Sequence, residues 1–184
     1  MRAEEDYFAV LGAPRRFAQD VNSLEKNYYR LSRALHPDRF TSAPEAAKNA
    51  SLARMSFLND AYQTLKNPAE LRDYYLKQSG VALPESRPQI PLELAENWFE
   101  IQDAISEDPK ASAPQLEAFQ ADLERLKSRK ELELRACESS IDALPKATQQ
   151  SLEQLSKLIQ SQSYLLSLER DVERMKKRFL SALS

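Results

Sequence analysis

Apolar residues recur along this chain of 184 residues with the three-and-four spacing of amphipathic α-helices. The first stripe contains Val21, Leu24, Tyr28, Leu31 and Leu35, and the second contains Met55, Leu58, Tyr62 and Leu65. These stripes predict two long helices, one ending near residue 35 and one ending near residue 65, joined by a polar loop. Short predicted helices flank them, over residues 7–11 and about 69–78. The first half of the chain is therefore expected to be an antiparallel helical hairpin with short flanking helices.

The second half begins after a proline-rich stretch. Pro84, Pro88 and Pro91 follow Gly80 and predict a stiff linker over residues 81–91. Beyond it, helices are predicted over about 92–106, 115–144 and 148–183. We expect Pro114 to open the second of these and Pro145 to end or kink it. Their apolar stripes are Leu116, Phe119, Leu123 and Leu126, and then Leu152, Leu155, Ile159, Leu166 and Val172. The pattern predicts a C-terminal three-helix bundle.

Composition supports an all-α protein and narrows its function. The chain has only two glycines and is rich in good helix formers. With 26 basic and 28 acidic side chains, it shows no overall charge bias toward nucleic acid or membrane. No segment approaches the ~18 apolar residues of a membrane span. The N-terminus resembles no targeting sequence, so a cytoplasmic location is expected.

One cysteine and one histidine limit the chemistry further. Cys137 is the only cysteine, which excludes an internal disulfide. Cys137 and His36 together cannot form a tetrahedral metal site, and an iron–sulfur cluster needs about four thiolates. No nucleophile stands beside His36. We therefore expect no enzyme activity, no metal and no cofactor.

The sequence His36-Pro37-Asp38 interrupts the hairpin. Pro37 lacks an N–H and disfavours helical geometry at His36, so His36 is predicted to end the helix, with Asp38 on an exposed loop. Lys26, Arg30 and Arg33 fall together on the helix face opposite the apolar stripe. Three alternative interpretations stay open. His36 merely caps its helix, the basic face is only solvated, or the basic face binds nucleic acid.

Four blocks resemble the J-domain of DnaJ-type co-chaperones in order and spacing. They are the run from Asp6 to Gly12, Tyr29-Arg30-Leu31, His36-Pro37-Asp38 and the run from Asn59 to Leu65. The resemblance covers about the first 78 residues. It implies that His36, Pro37 and Asp38 bind a DnaK-class chaperone and stimulate its ATP hydrolysis, assisted by Lys26, Arg30 and Arg33. Asp38 is suited to accept a bidentate arginine, and the basic residues to steer an acidic partner.

The second half resembles the HscB family, the J-domain proteins of iron–sulfur cluster assembly. The resemblance lies in a J-domain (residues 1–80), a linker (81–91) and a three-helix client-binding domain (92–184), and in the runs Leu71–Leu76 and Glu100–Ile105. The second run differs from the family's Glu-Leu-Arg-Glu-Glu-Leu at Gln102 and Ala104. The chain lacks the Gly/Phe-rich stretch and Cys-x-x-Cys repeats of general DnaJ proteins.

This resemblance implies two partners, an HscA-like chaperone and an IscU-like scaffold protein. The residues carried over to client binding are Phe99, Glu100, Asp103, Glu107 and Tyr164. Trp98 and Phe99 point about 100° apart on a helix, so one of them is expected to be exposed. The alternative for Phe99 and Tyr164 is a place in the core of the bundle. Two further hypotheses are a J-domain protein with a different client and a helical adaptor that stimulates no chaperone.

Overall fold

The computed structural model describes residues 6–40, 42–82 and 91–182. Its helices are α1 (Tyr7–Leu11), α2 (Val21–Leu35), α3 (Glu45–Lys66), α4 (Pro68–Gln78), α5 (Leu92–Glu107), α6 (Pro109–Asp142) and α7 (Gln149–Ala182), with a 3-10 turn at Pro37–Phe40. These described ranges contain no β-strand, and the predicted all-α class is confirmed. Pro84 and Pro88 of the predicted linker lie outside the described residues.

The ends of the N-terminal helices follow from side-chain caps. The Asp6 carboxylate accepts the Phe8 N–H at 3.2 Å, and the Asp20 carboxylate accepts the Asn22 N–H at 3.1 Å. Each supplies an acceptor to a backbone donor that has no partner within its helix. Gly12 ends α1 with φ of 62°, a left-handed conformation that glycine adopts without a Cβ clash. The predicted bounds of α1, residues 7–11, and the predicted end of α2 near residue 35 are confirmed.

The chain divides into two compact units, residues 1–80 with 141–145 and residues 81–140 with 146–184. In the first unit α3 is central, because it contacts α1, α2 and α4. The core of α1–α4 consists of Phe8, Leu11, Leu24, Leu58, Ala61, Leu65, Leu71, Tyr75 and Leu76. This packing holds the end of α2 and the start of α3 on either side of the loop that carries Asp38.

The second unit is a three-helix bundle. Its core contains Trp98, Ile101 and Ile105 of α5, Leu116, Phe119, Leu123 and Leu126 of α6, and Leu165, Leu168 and Val172 of α7. The indole of Trp98 stacks on the Phe119 ring with centroids 5.3 Å apart. Because all three helices contribute to one apolar cluster, the predicted three-helix bundle is confirmed.

The predicted start of α6 is wrong. The helix begins at Pro109, because the Asp108 carboxylate accepts the N–H groups of Lys110 and Ala111 at 3.0 and 3.1 Å. Asp followed by Pro is a strong pair of start signals, since aspartate caps and proline suits the first helical position. Pro114 lies inside the helix, where its missing N–H removes one hydrogen bond near the helix start.

Two residues of the predicted apolar stripes are exposed. Val21 is the first residue of α2 and lies at the surface. Leu166 is also exposed, whereas the neighbouring Leu165 is fully buried. The buried positions of this part of α7 step from Ser161 through Leu165 to Leu168, one residue out of phase with the predicted stripe.

Candidate functional site

The loop of residues 36–40, here called the His-Pro-Asp loop, leaves the end of α2 abruptly. His36 has φ −60° and ψ 132°, an extended conformation that stops the helix. Pro37 to Phe40 then form the 3-10 turn, with the Arg39 N–H donating to the His36 carbonyl at 3.0 Å. The Asp38 side chain is 84% exposed and that of His36 is 52% exposed. The predicted helix end and the exposure of Asp38 are confirmed.

The imidazole and the carboxylate of this loop lie side by side. The His36 Nδ1 atom is 3.3 Å from Asp38 Oδ2 and also 3.3 Å from the Asp38 backbone nitrogen. Nδ1 accepts the backbone N–H when it carries no proton, and it donates to the carboxylate when it does. In both states the contact restrains the loop. Such a pair can receive a cation or a planar guanidinium from a partner, but it includes no nucleophile.

The exposed face of α2 carries the basic strip, Lys26, Arg30 and Arg33. All three are exposed, and they fall within an arc of about 60° at 100° per residue. None of the three has an ion-pair partner among the described residues. Tyr29 is 54% exposed and lies one helical turn from both Lys26 and Arg33. The exposure of Tyr29 was not predicted. It could have been, because a residue three and four positions from exposed basic residues lies on the same helix face.

The pair Trp98-Phe99 divides between core and surface, as expected. Trp98 is buried against Phe119, whereas Phe99 is 65% exposed. A solvent-facing phenylalanine contributes little to the packing of its own bundle. A role for Phe99 in the core is therefore contradicted, and its side chain is available to a partner.

An acidic row runs along α5 beside Phe99. It consists of Glu96, Glu100, Asp103 and Glu107, which are all exposed and are spaced four, three and four residues apart. Leu92, seven residues before Phe99 and on the same side of the helix, is 68% exposed. Leu92 and Glu96 were not among the predicted site residues. They could have been predicted from helical spacing, because Leu92 lies seven residues before Phe99 and Glu96 lies four residues before Glu100.

Tyr164 differs from Phe99 in its surroundings. It is half-buried on α7 and packs against the bundle core, which α5 and α7 share. Part of its ring therefore stabilises the bundle, and the remaining part is accessible. The structure places the two predicted aromatic residues on helices that pack into the same core.

Cys137 is buried on α6, and burial raises the pKa of its thiol. Across residues 6–40, 42–82 and 91–182, no three His, Cys, Asp or Glu side chains are grouped so that they could hold a metal ion. None of the helices in these ranges is both long and apolar enough to cross a bilayer.

Comparison with known proteins relates both units to one family. Residues 6–75, which contain α1–α3, most of α4 and the His-Pro-Asp loop, match the DnaJ domain. The "Co-chaperone protein HscB homolog" of Chromobacterium violaceum is 32% identical over 116 residues. This chain contains a DnaJ domain and is similar to an HscB co-chaperone. The aligned stretch covers 62% of this chain and 66% of the relative, which is just under two thirds of the relative's length.

Solved HscB structures share the fold. The crystal structure of human co-chaperone protein HscB matches 96% of this chain and 84% of its own, with a TM-score of 0.65 and 22% identity. The HscB chaperone from Vibrio cholerae matches 95% of this chain and 99% of its own, with a TM-score of 0.62 and 24% identity. These matches extend over both units, so the HscB architecture includes the bundle as well as the J-domain.

Proposed function

We propose that this protein is a co-chaperone that stimulates the ATPase of an HscA-like, DnaK-class chaperone and delivers an IscU-like scaffold protein to it. This delivery assists the assembly of the iron–sulfur cluster on the scaffold and the transfer of the cluster from it. The observation that carries the proposal is the exposed His36–Asp38 pair at the end of α2, next to a basic strip that has no ion-pair partner in the described part of the chain. This arrangement lies within the matched DnaJ domain.

The loop acts by binding rather than by bond chemistry. Asp38 presents a carboxylate on a 3-10 turn whose backbone is held by the Arg39 N–H. A guanidinium of the chaperone that pairs with this carboxylate would form two charge-assisted hydrogen bonds in one orientation. The ATPase residues belong to the chaperone, and docking of the loop favours their hydrolytic arrangement. This protein is therefore not an enzyme in the proposal.

The basic strip contributes to the approach of the chaperone. Lys26, Arg30 and Arg33 project from one exposed face of α2, so their fields add in the same direction. An acidic surface on the chaperone would be steered toward the His-Pro-Asp loop, which raises the association rate more than the final affinity. Tyr29 offers apolar contact area beside these charges once the two proteins meet.

The client surface has an apolar centre and an acidic rim. Phe99 and Leu92 are the exposed apolar side chains of α5, and the acidic row runs alongside them. This composition fits a scaffold surface that presents an apolar residue surrounded by lysine or arginine. Glu100, Asp103 and Glu107 pair with that basic surface, and Tyr164 adds the accessible part of its ring.

The iron–sulfur cluster stays with the scaffold as cargo in this proposal. The single cysteine is buried, and its raised pKa disfavours the thiolate that ligates iron. Transfer of the scaffold to the chaperone needs only the two binding surfaces.

A J-domain protein with a different client is the second candidate. The observation in its favour is the sequence of α5, where Gln102 and Ala104 depart from the family run and Glu96 and Leu92 extend the exposed surface. A helical adaptor without stimulating activity is the third candidate.

Steady-state ATP hydrolysis by the HscA-like chaperone, measured against rising concentrations of this protein, tests the J-domain function. Titration calorimetry with the IscU-like scaffold tests the client. Stimulation together with scaffold binding supports the proposal. Stimulation without scaffold binding supports a different client, and the absence of stimulation supports the adaptor.

A further inference from the structure

The His-Pro-Asp loop leaves a backbone acceptor of α2 without a partner from its own helix. A continued helix would direct the Arg39 N–H to the Leu35 carbonyl. Here that N–H donates to the His36 carbonyl instead, at 3.0 Å. The carbonyls at a helix C-terminus need other donors, and a buried one that finds none is destabilising.

Ser51 supplies the donor from α3. Its hydroxyl donates to the Leu35 carbonyl oxygen at 2.7 Å, and its side chain is only 3% exposed. Ser51 lies four residues before Met55 and seven before Leu58, so it occupies the next position of the core-facing stripe of α3. An apolar residue is the usual occupant of such a position. The bond to Leu35 explains why a hydroxyl is placed there.

A serine inside a helix commonly returns its hydroxyl to a carbonyl of its own preceding turn. Ser140 and Ser161 do so in this protein, donating to the carbonyls of Ala136 at 2.8 Å and of Lys157 at 2.9 Å. Ser51 instead joins two helices that are connected by the loop between them. Its hydrogen bond therefore fixes the residue from which His36 departs.

We propose that Ser51 is a positioning residue of the His-Pro-Asp loop, which it aligns with the basic strip by tethering the end of α2 to α3. This inference rests on the proposed chaperone-stimulating function. Ser51 contacts no partner in this proposal, because its side chain is buried. It restricts the conformations of residues 36–40, so that Asp38 and Arg33 are presented to the chaperone in a single arrangement.

Three variants of the full chain isolate the hydroxyl. Ser51→Ala removes it, while Ser51→Thr and Ser51→Val introduce side chains of nearly the same shape that differ in the presence of a hydroxyl. Ser161→Ala is the matched control, because Ser161 is equally buried but donates within α7. For each variant, chaperone ATPase stimulation is measured over a concentration series, with a thermal melt and NMR relaxation of the Asp38 and Arg39 amides.

We expect Ser51→Ala and Ser51→Val to raise the concentration for half-maximal stimulation at least threefold and to increase the mobility of the two loop amides. Ser51→Thr should need a lower concentration for half-maximal stimulation than Ser51→Val and should have less mobile loop amides. Ser161→Ala should match wild type in both measurements. Equal stimulation and equal loop mobility for all variants would overturn the inference. So would losses that follow the melting temperature alone, with unchanged loop amides. If the wild type itself gives no stimulation, the proposed function fails, and the amide mobilities still decide whether Ser51 restrains the loop.

Discussion

Replacement of Phe99 by alanine tests the client surface most sharply, because the exposed aromatic ring is its apolar centre. The ring is 65% exposed on α5, while the adjacent Trp98 is buried in the bundle core. We therefore expect Phe99→Ala to weaken scaffold binding with little loss of stability. Trp98→Ala should instead mainly destabilise the bundle, at a cost of about 3–5 kcal/mol of unfolding free energy.

The expected magnitude follows from the area that the ring can still bury. Phenylalanine offers roughly 200 Å² of surface, of which about 130 Å² remains exposed at 65%. At about 25 cal/mol per Å², complete burial of that area on scaffold binding is worth up to about 3 kcal/mol. A loss of about 1.4–3 kcal/mol corresponds to roughly a tenfold to hundredfold weaker affinity. The shielded third, about 70 Å², limits the stability cost to about 2 kcal/mol at the same coefficient.

Titration calorimetry against the IscU-like scaffold measures the affinity, and urea unfolding measures the stability. Leu132→Ala is the matched control, since Leu132 is 68% exposed on α6 and lies outside the α6 stretch that packs with α5. It should leave scaffold affinity unchanged. Scaffold affinity of Phe99→Ala equal to wild type would refute the assignment of Phe99 to the client surface. A loss of several kcal/mol in stability would refute the reasoning from its exposure.

Two further predictions concern the J-domain. Arg30→Glu should lower the rate of association with the chaperone and make that rate less dependent on salt, because salt screens exposed charges over about 8 Å at physiological ionic strength. An association rate that changes with neither salt nor this charge reversal would show that the basic strip is only a solvated face. Burial raises the pKa of Tyr74 from 10.0 to about 12, against the opposing effect of the Tyr7 N–H it accepts. The unfolded phenol ionises first, so stability present below about pH 10 should fall as the pH rises toward 12. Tyr74→Phe should make this fall shallower in urea unfolding at pH 9 and pH 11, but not abolish it, since burial also raises the pKa of Tyr75; identical pH dependence in the variant would contradict the shift.

Local signals predicted the helix ends and the fold class well. Pro37 acts on the residue next to it, because its missing N–H and its ring stop α2 at His36. The apolar stripe of α6 likewise predicted which face of the helix is buried, because consecutive turns of one helix face the same core. Pro114 was misinterpreted because two competing start signals stood six residues apart, and Asp108 supplied the stronger cap.

The candidate site was less predictable where it depends on contacts between helices. The face of α7 that is buried shifts along its length, so Leu166 is exposed and Leu165 is buried. The sequence contains no local sign of that change. Ser51 stands in an apolar stripe, but its acceptor is a carbonyl 16 residues away on another helix. Such a partner is known only once α2 and α3 are packed.

The most direct test of the proposed function is ATP hydrolysis by the HscA-like chaperone with the Asp38→Asn variant. The change keeps the size of the side chain and removes its charge. Since Asp38 is 84% exposed, stability should change by less than about 0.5 kcal/mol. Loss of a charge pair that becomes desolvated on docking should cost about 2 kcal/mol or more, which is at least roughly a thirtyfold weaker interaction.

Glu45→Gln is the control, because it removes a nearby exposed carboxylate that pairs with Lys48 within α3. We expect wild type and Glu45→Gln to stimulate hydrolysis equally, and Asp38→Asn to leave it at the basal rate with an unchanged circular dichroism spectrum and melt. Near-normal stimulation by a folded Asp38→Asn protein would contradict the account, since the His-Pro-Asp loop would then not be the surface that acts on the chaperone.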